Sequence, residues 1–209
     1  MARFIGRENL RKRLAPLEGA PGRTTYEGGA VRIEPENGET LVVRPSFGLA
    51  HEAEYPIVRA SPLLEEVAED HVVAVLLVRL GGYAVGVFEG ETLVASKVGS
   101  RFVKGRHKKG GSSANRFRRR REGQERALVG EAARVAATVL RPWRDRAEYA
   151  ALGGDRSAVD AVLAAEPELA WLRERALDRF FTVPEPRQRV LERLPYDLYS
   201  VEVTGPAPD

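Results

Sequence analysis

The chain has no cysteine, a single methionine, two tryptophans and three histidines among its 209 residues. Without cysteine there are no disulfide staples and no thiolate metal sites, and His51, His71 and His107 are too few and too scattered to read as a metal cluster. No Walker loop, dinucleotide fingerprint, HExxH pattern or Ser/His/Asp order is present, so no metal and no cofactor is expected. Long apolar runs are missing as well. The longest, Val72 to Val78, falls far short of the roughly 20 residues that a spanning helix needs, and no membrane partner is expected. The first residues, Met1-Ala2-Arg3-Phe4-Ile5-Gly6-Arg7, lack the apolar core and cleavage site of a secretory signal, and a cytoplasmic location is expected.

What is abundant is segregated positive charge. Between Arg101 and Arg126 eleven Lys/Arg stand against two acids, Glu122 and Glu125, a balance of +9; the rest of the chain, 22 basic against 28 acidic, carries −6. A basic element on an acidic body suits a polyanion, because Lys and Arg neutralise phosphates and the acidic remainder limits indiscriminate binding. A solvated helix face is the plain alternative for a charge run. Four consecutive arginines, Arg118 to Arg121, repel one another, however, and favour an anion nearby.

Pattern along the chain predicts a leading segment, 1–60, with a short amphipathic helix at Glu8 to Leu17. A turn-rich stretch at Gly19, Pro21 and Gly22 follows, then a hairpin of strands 30–34 and 40–44. A helix start is expected at Ser61-Pro62, then three strands: 71–80, whose unbroken Val/Leu/Ala run reads as buried on both faces, 83–88 and 93–98. A basic loop, Gly99 to Gly111, leads into a long helix from about Ala114 to Leu140, with Ser112 and Ser113 as N-cap candidates. Its apolar stripe reads Phe117, Leu128, Ala132, Val135 and Val139, with Arg121 and Gln124 on the same line. Beyond it come a strand at 148–152, a Gly153-Gly154-Asp155 turn, helices at 158–165 and 168–176, a strand-like piece at 179–183, a helix at 187–194 and an edge strand at 198–203. The expected fold class is α/β, a layered α+β arrangement: a mixed sheet that opens with an antiparallel meander, and a long central helix after a glycine-rich basic loop. Expected domains are 1–60, 61–203 and a tail, 204–209.

The stretch from Arg106 to Arg121 resembles the central domain of eukaryotic and archaeal class I peptide-chain release factors. Their motif runs approximately Gly-Arg-Gly-Gly-Gln-Ser-Ala-x-Arg-Phe-x-Arg-x-Arg, and Gly110, Gly111, Ser113, Ala114, Arg116, Phe117, Arg119 and Arg121 match it in register. Within that superfamily the chain is most similar to the bacterial Vms-like release-factor family of actinobacteria and chloroflexi. The resemblance implies a ribosome-associated peptidyl-tRNA hydrolase for termination or rescue, whose partners are large-subunit rRNA and peptidyl-tRNA. On that basis Gly110, Gly111 and Ser112 form the tip that reaches the ester. Arg101, Lys104, Arg106, His107, Lys108, Lys109, Arg116, Arg118, Arg119, Arg120 and Arg121 contact RNA phosphates.

One position departs: where the motif carries its catalytic glutamine, this chain has Ser112. A hydroxyl lacks a primary amide's reach and its two donors. Three readings of that gap stay open. Backbone N–H groups at Gly111 and Ser112, beside Ser113, hold the developing oxyanion or a phosphate while Ser112 orients water. Asn115, in the first helical turn, supplies the amide, with Gln124 a weaker candidate. Or the loop only binds, which makes the protein a non-catalytic ribosome- or RNA-binding factor; a tRNA acceptor-end nuclease is the third function to be separated. His107 is read as a phosphate contact, since no catalytic pattern accompanies it, although a histidine's ordinary pKa also suits a general acid/base.

Overall fold

Val31 and Ile33 in one strand, and Leu41 and Val43 in the next, alternate with exposed or half-exposed neighbours, and all four are buried. That period of two marks a sheet with one face on a core. The computed structural model describes the backbone of residues 2–79, 81–100 and 112–205, and their side chains except at residues 2 and 112–118. Chain order is β1 (Ala2–Gly6), α1 (Arg7–Leu14), β2 (Pro21–Glu27), β3 (Ala30–Pro35), β4 (Leu41–Arg44), β5 (Ala53–Ile57), α2 (Ser61–Glu66), β6 (Val72–Arg79), β7 (Gly82–Glu89), β8 (Thr92–Ser100), α3 (Ser112–Leu140), β9 (Tyr149–Gly154), α4 (Arg156–Ala165), α5 (Trp171–Glu174), α6 (Gln188–Leu198) and β10 (Ser200–Thr204). These elements divide into two units, Met1–Asp70 with Pro195–Asp209, and His71–Leu194.

The first unit is a six-stranded antiparallel sheet in the order β1-β10-β4-β3-β2-β5. Leu10 and Leu14 of α1 and Leu63 of α2 complete its core. Polar groups fix the approach to α2. The Thr24 hydroxyl donates to the Ile57 carbonyl (3.0 Å) and accepts from the Arg59 N–H (2.9 Å). The Tyr26 hydroxyl donates to the Arg59 carbonyl (2.6 Å), and burial pushes its pKa up to about 12. The Glu18 carboxylate accepts the N–H groups of Ala60 (2.6 Å) and Ser61 (3.1 Å) at the start of α2.

These contacts change two expectations. Helix α2 belongs to the leading unit, so the division falls after Asp70 instead of near residue 60. The last strand, β10, lies between β1 and β4, with Ile5 opposite Val201 and Val43 opposite Val203, and is interior where an edge strand was expected. Alternation reports a single buried face and is the same for an edge and an inner strand, so it does not reveal the neighbours. The stretch expected to be turns at Gly19, Pro21 and Gly22 runs instead into β2, whose register shifts between Pro21 and Thr24.

The second unit is a four-stranded mixed sheet, β8-β7-β6-β9, antiparallel except for β6 with β9. From Val73 to Val78, β6 is buried throughout, as its unbroken apolar run predicts. Helix α3 packs here through Leu128, Ala132, Ala133, Ala136, Ala137 and Leu140, while Val135 and Val139 are half-buried on its flank. The expected stripe was therefore off by part of a turn. Alanine lets a helix lie close to a sheet, and the buried line follows the small residues. Residues 179–183 contribute only an isolated bridge, Gly153 to Phe181, in place of a strand, and the helix expected at 168–176 is a 3-10 turn followed by α5.

Asp155 ends the Gly-Gly turn as the N-cap of α4. Its carboxylate accepts from the Ser157 hydroxyl (2.6 Å) and the Ala158 N–H (3.2 Å), and those bonds hold it below the usual carboxylate range. The helix N-terminus is thus already occupied by a negative group. Asp155→Ala is expected to cost about 1 kcal/mol in urea unfolding at pH 7. Because the folded pKa is depressed, this stability is present above the unfolded value of 3.8 and is lost as pH falls through the folded one. The denaturation midpoints of the wild type and of the Asp155→Ala variant should therefore converge at low pH.

Candidate functional site

The basic segment follows β8, the edge strand of the second unit's sheet. Strand β8 continues through Ser100, so Gly99 is a strand residue where a loop was expected. Packing explains this glycine: a Cβ there would collide with the Tyr83 ring. That ring is buried, and its hydroxyl donates to Glu131 of α3 (3.0 Å). Burial, followed by the hydrogen bond to Glu131, raises the Tyr83 pKa. One side chain thus ties the end of β8 to the middle of α3, the two elements that flank the basic segment.

Arg101, Lys104, Arg106, His107, Lys108, Lys109, Gly110 and Gly111 lie outside the described residues. Helix α3 begins at Ser112, so Ser112 and Ser113 belong to its first turn where caps were expected, and Asn115, Arg116 and Arg118 follow on the same helix. Among the described side chains of α3 the first buried one is Leu128; none from Arg119 to Ala127 is buried. At about 1.5 Å per residue, roughly 24 Å of helix precedes Leu128.

The arginines are not equivalent. Arg119 and Arg120 are exposed. Arg121 is half-buried, and its Nε donates to Glu125 at 2.7 Å, one helical turn on. Gln124, the weaker amide candidate, is half-buried and already has partners. Gly123 and Gly130 interrupt the helix at exposed positions where a Cβ would meet nothing within 4 Å. Each costs about 1 kcal/mol of helix stability relative to alanine.

Charge divides by unit. The first carries 9 basic against 15 acidic residues, −6, and the second 24 against 15, +9. Outside residues 101–126 the second unit holds 13 of each. The cationic element therefore stands on a neutral body, and the acidity expected around it belongs to the other unit.

Among the described residues no cluster of His, Cys, Asp and Glu fits a metal ion, and no helix is long and apolar enough to cross a membrane. His71 is 7% exposed with Nδ1 3.0 Å from Glu148.

Fold and sequence together define a mixed α/β protein in which a basic segment joins an edge strand to a long helix, a class suited to nucleic acid. The profile of the Actinobacteria/chloroflexi VLRF1 release factor family matches residues 71–204, and the chain belongs to that family. The match covers the second unit and β10. Among solved structures the chain is similar to an archaeal translation termination factor, aRF1, at 16% identity and a TM-score of 0.45, over 92% of this chain and 54% of that one. It is also similar to a structure described only as an archaeal protein, at 14% identity and a TM-score of 0.42, over 94% and 74%. The chain thus spans about half the length of the archaeal termination factor. No curated protein matches it. Membership of a release-factor family sets the context as translation termination or ribosome rescue.

Proposed function

We propose that the protein is a ribosome-associated peptidyl-tRNA hydrolase that cleaves the ester between nascent peptide and tRNA during termination or rescue. Gly110, Gly111 and Ser112 reach the ester. The first N–H groups of α3 stabilise the developing oxyanion, and Ser112, with Ser113 and Asn115 beside it, orients the attacking water. Arg116, Arg118, Arg119 and Arg120, with the basic residues of 101–109, hold large-subunit rRNA and the peptidyl-tRNA. The observation that carries this reading is the start of α3 at Ser112, directly after the basic glycine-rich segment. A helix start offers N–H groups that have no partner within the helix.

Serine at the motif's glutamine position favours a second reading, a factor that binds ribosomes without chemistry. Stalled ribosome–nascent-chain complexes separate the two. Wild type is expected to free the peptide and leave tRNA with an intact CCA end. Gly111→Ala should abolish release, Ser112→Ala should slow it roughly a hundredfold, in the range for losing one transition-state donor, and Ser112→Gln should retain it. Tight binding with no release at saturating protein assigns the binding factor, and a shortened CCA end assigns a nuclease.

A further inference from the structure

Helix residues three and four apart share a face, and one face of α3 has an unusual make-up. Arg119, Gly123, Ala127, Gly130 and Arg134 follow at steps of four, four, three and four, with Arg126 beside Ala127; all six are exposed. Three carboxylates lie in this part of the helix: Glu125 is held by Arg121, Glu131 accepts from Tyr83, and Glu122 stands three residues from Arg119 and four from Arg126, so three arginines share the face with one acid. The face is therefore cationic along about 22 Å of helix, and its centre is stripped to glycine and alanine.

The two features are independent and agree. An excess of arginines over acids on a solvent face favours a polyanion. Glycines that weaken the helix, where an added Cβ would meet nothing within 4 Å among the described residues, are explained by a surface that must come close to the helix backbone. We infer that the outer face of α3 from Arg119 to Arg134 docks against the sugar–phosphate backbone of large-subunit rRNA. The arginines neutralise phosphates on either side of a line where Gly123, Ala127 and Gly130 let the chain approach. The choice of rRNA rests on the proposed function: a tip that reaches an ester in the peptidyl-transferase centre brings the helix behind it through an rRNA-walled channel. The interface would then continue well past the loop, along the part of α3 that packs on the sheet.

The test measures affinity of the full chain for purified bacterial 50S subunits free of tRNA, with deacylated tRNA as a second probe. Gly123→Leu/Gly130→Leu is expected to weaken 50S binding at least tenfold while thermal stability is unchanged or raised, since leucine is the better helix former. Arg126→Gln/Arg134→Gln should weaken it comparably and reduce the slope of log K against log salt by about two. Unchanged 50S affinity in the glycine variant overturns the inference, as does a fall in its melting temperature, which would mean the glycines are not open. Loss of tRNA binding with 50S binding intact assigns the face to tRNA, and an unchanged salt slope in the arginine variant assigns it to a protein; either result overturns it. A wild type that binds 50S through this face but frees no peptide sinks the hydrolase reading and leaves the rRNA contact standing. Peptide release with the variants binding 50S normally sinks the rRNA contact alone.

Discussion

Arg119→Gln and Arg120→Gln are each expected to weaken ribosome binding and to lower the salt slope by about one, whereas Arg121→Gln is expected to do much less. Adjacent arginines look interchangeable in sequence, yet their side chains stand about 100° apart on the helix. Two of them are exposed, and the third spends its charge on Glu125 at 2.7 Å and is half-buried. A guanidinium already bonded to a carboxylate must give up that bond before it can take a phosphate. The wild type, with six or more phosphates neutralised, should lose on the order of a thousandfold in affinity between 50 and 200 mM salt. Anisotropy or filter binding across that range measures both the slope and its change. A flat profile in the wild type, or an Arg121→Gln slope change as large as that of Arg119→Gln, contradicts this division of labour.

Gly154→Ala is expected to destabilise the second unit by about 3–5 kcal/mol, from backbone strain and overpacking together. Gly154 holds φ at +102°, a conformation that L side chains rarely adopt, and a Cβ would collide with the Val78 carbonyl oxygen. That oxygen cannot retreat cheaply, because it accepts the Asp155 N–H at 2.7 Å where β6 and β9 end their parallel pairing. Relief requires either the ladder or the α4 cap to move. A drop in melting temperature of about 10 °C or more follows for a chain of this size. The same substitution at Gly130 meets nothing within 4 Å, so a comparable loss there would mean that glycine content, and not this turn, sets the stability.

How far each feature was legible depended on whether its cause is local. The run from Val72 to Val78 announces a strand buried on both faces, and it is one. Gly153-Gly154-Asp155 before Arg156 announces a strand-to-helix turn, and Asp155 caps α4. The basic stretch and its release-factor likeness are written in consecutive residues, and the family match covers them. By contrast, β2 and β5 are hidden in sequence because Pro21, Gly22 and Pro56 look like turn residues; β5 pairs with β2, distant in sequence, whereas β2 also forms a tight hairpin with β3 at Gly28-Gly29, which is a local signal. Gly99 passed for a loop residue because its reason, the Tyr83 ring, sits sixteen positions earlier. The glycine line of α3 did have a local signal, the three-and-four spacing of Gly123, Ala127, Gly130 and Arg134, but charge counting alone ends at Arg126.

The sequence by itself determined the local elements, the family and the concentration of positive charge, since each is carried by neighbouring residues whose chemistry does not depend on what they touch. Tertiary structure alone decided that the final strand returns to the leading unit, that the acidity belongs to that unit, and which arginines remain available. Those outcomes depend on long-range strand pairing and on which helix face the core covers; the Arg121–Glu125 pair, four residues apart, is the local exception.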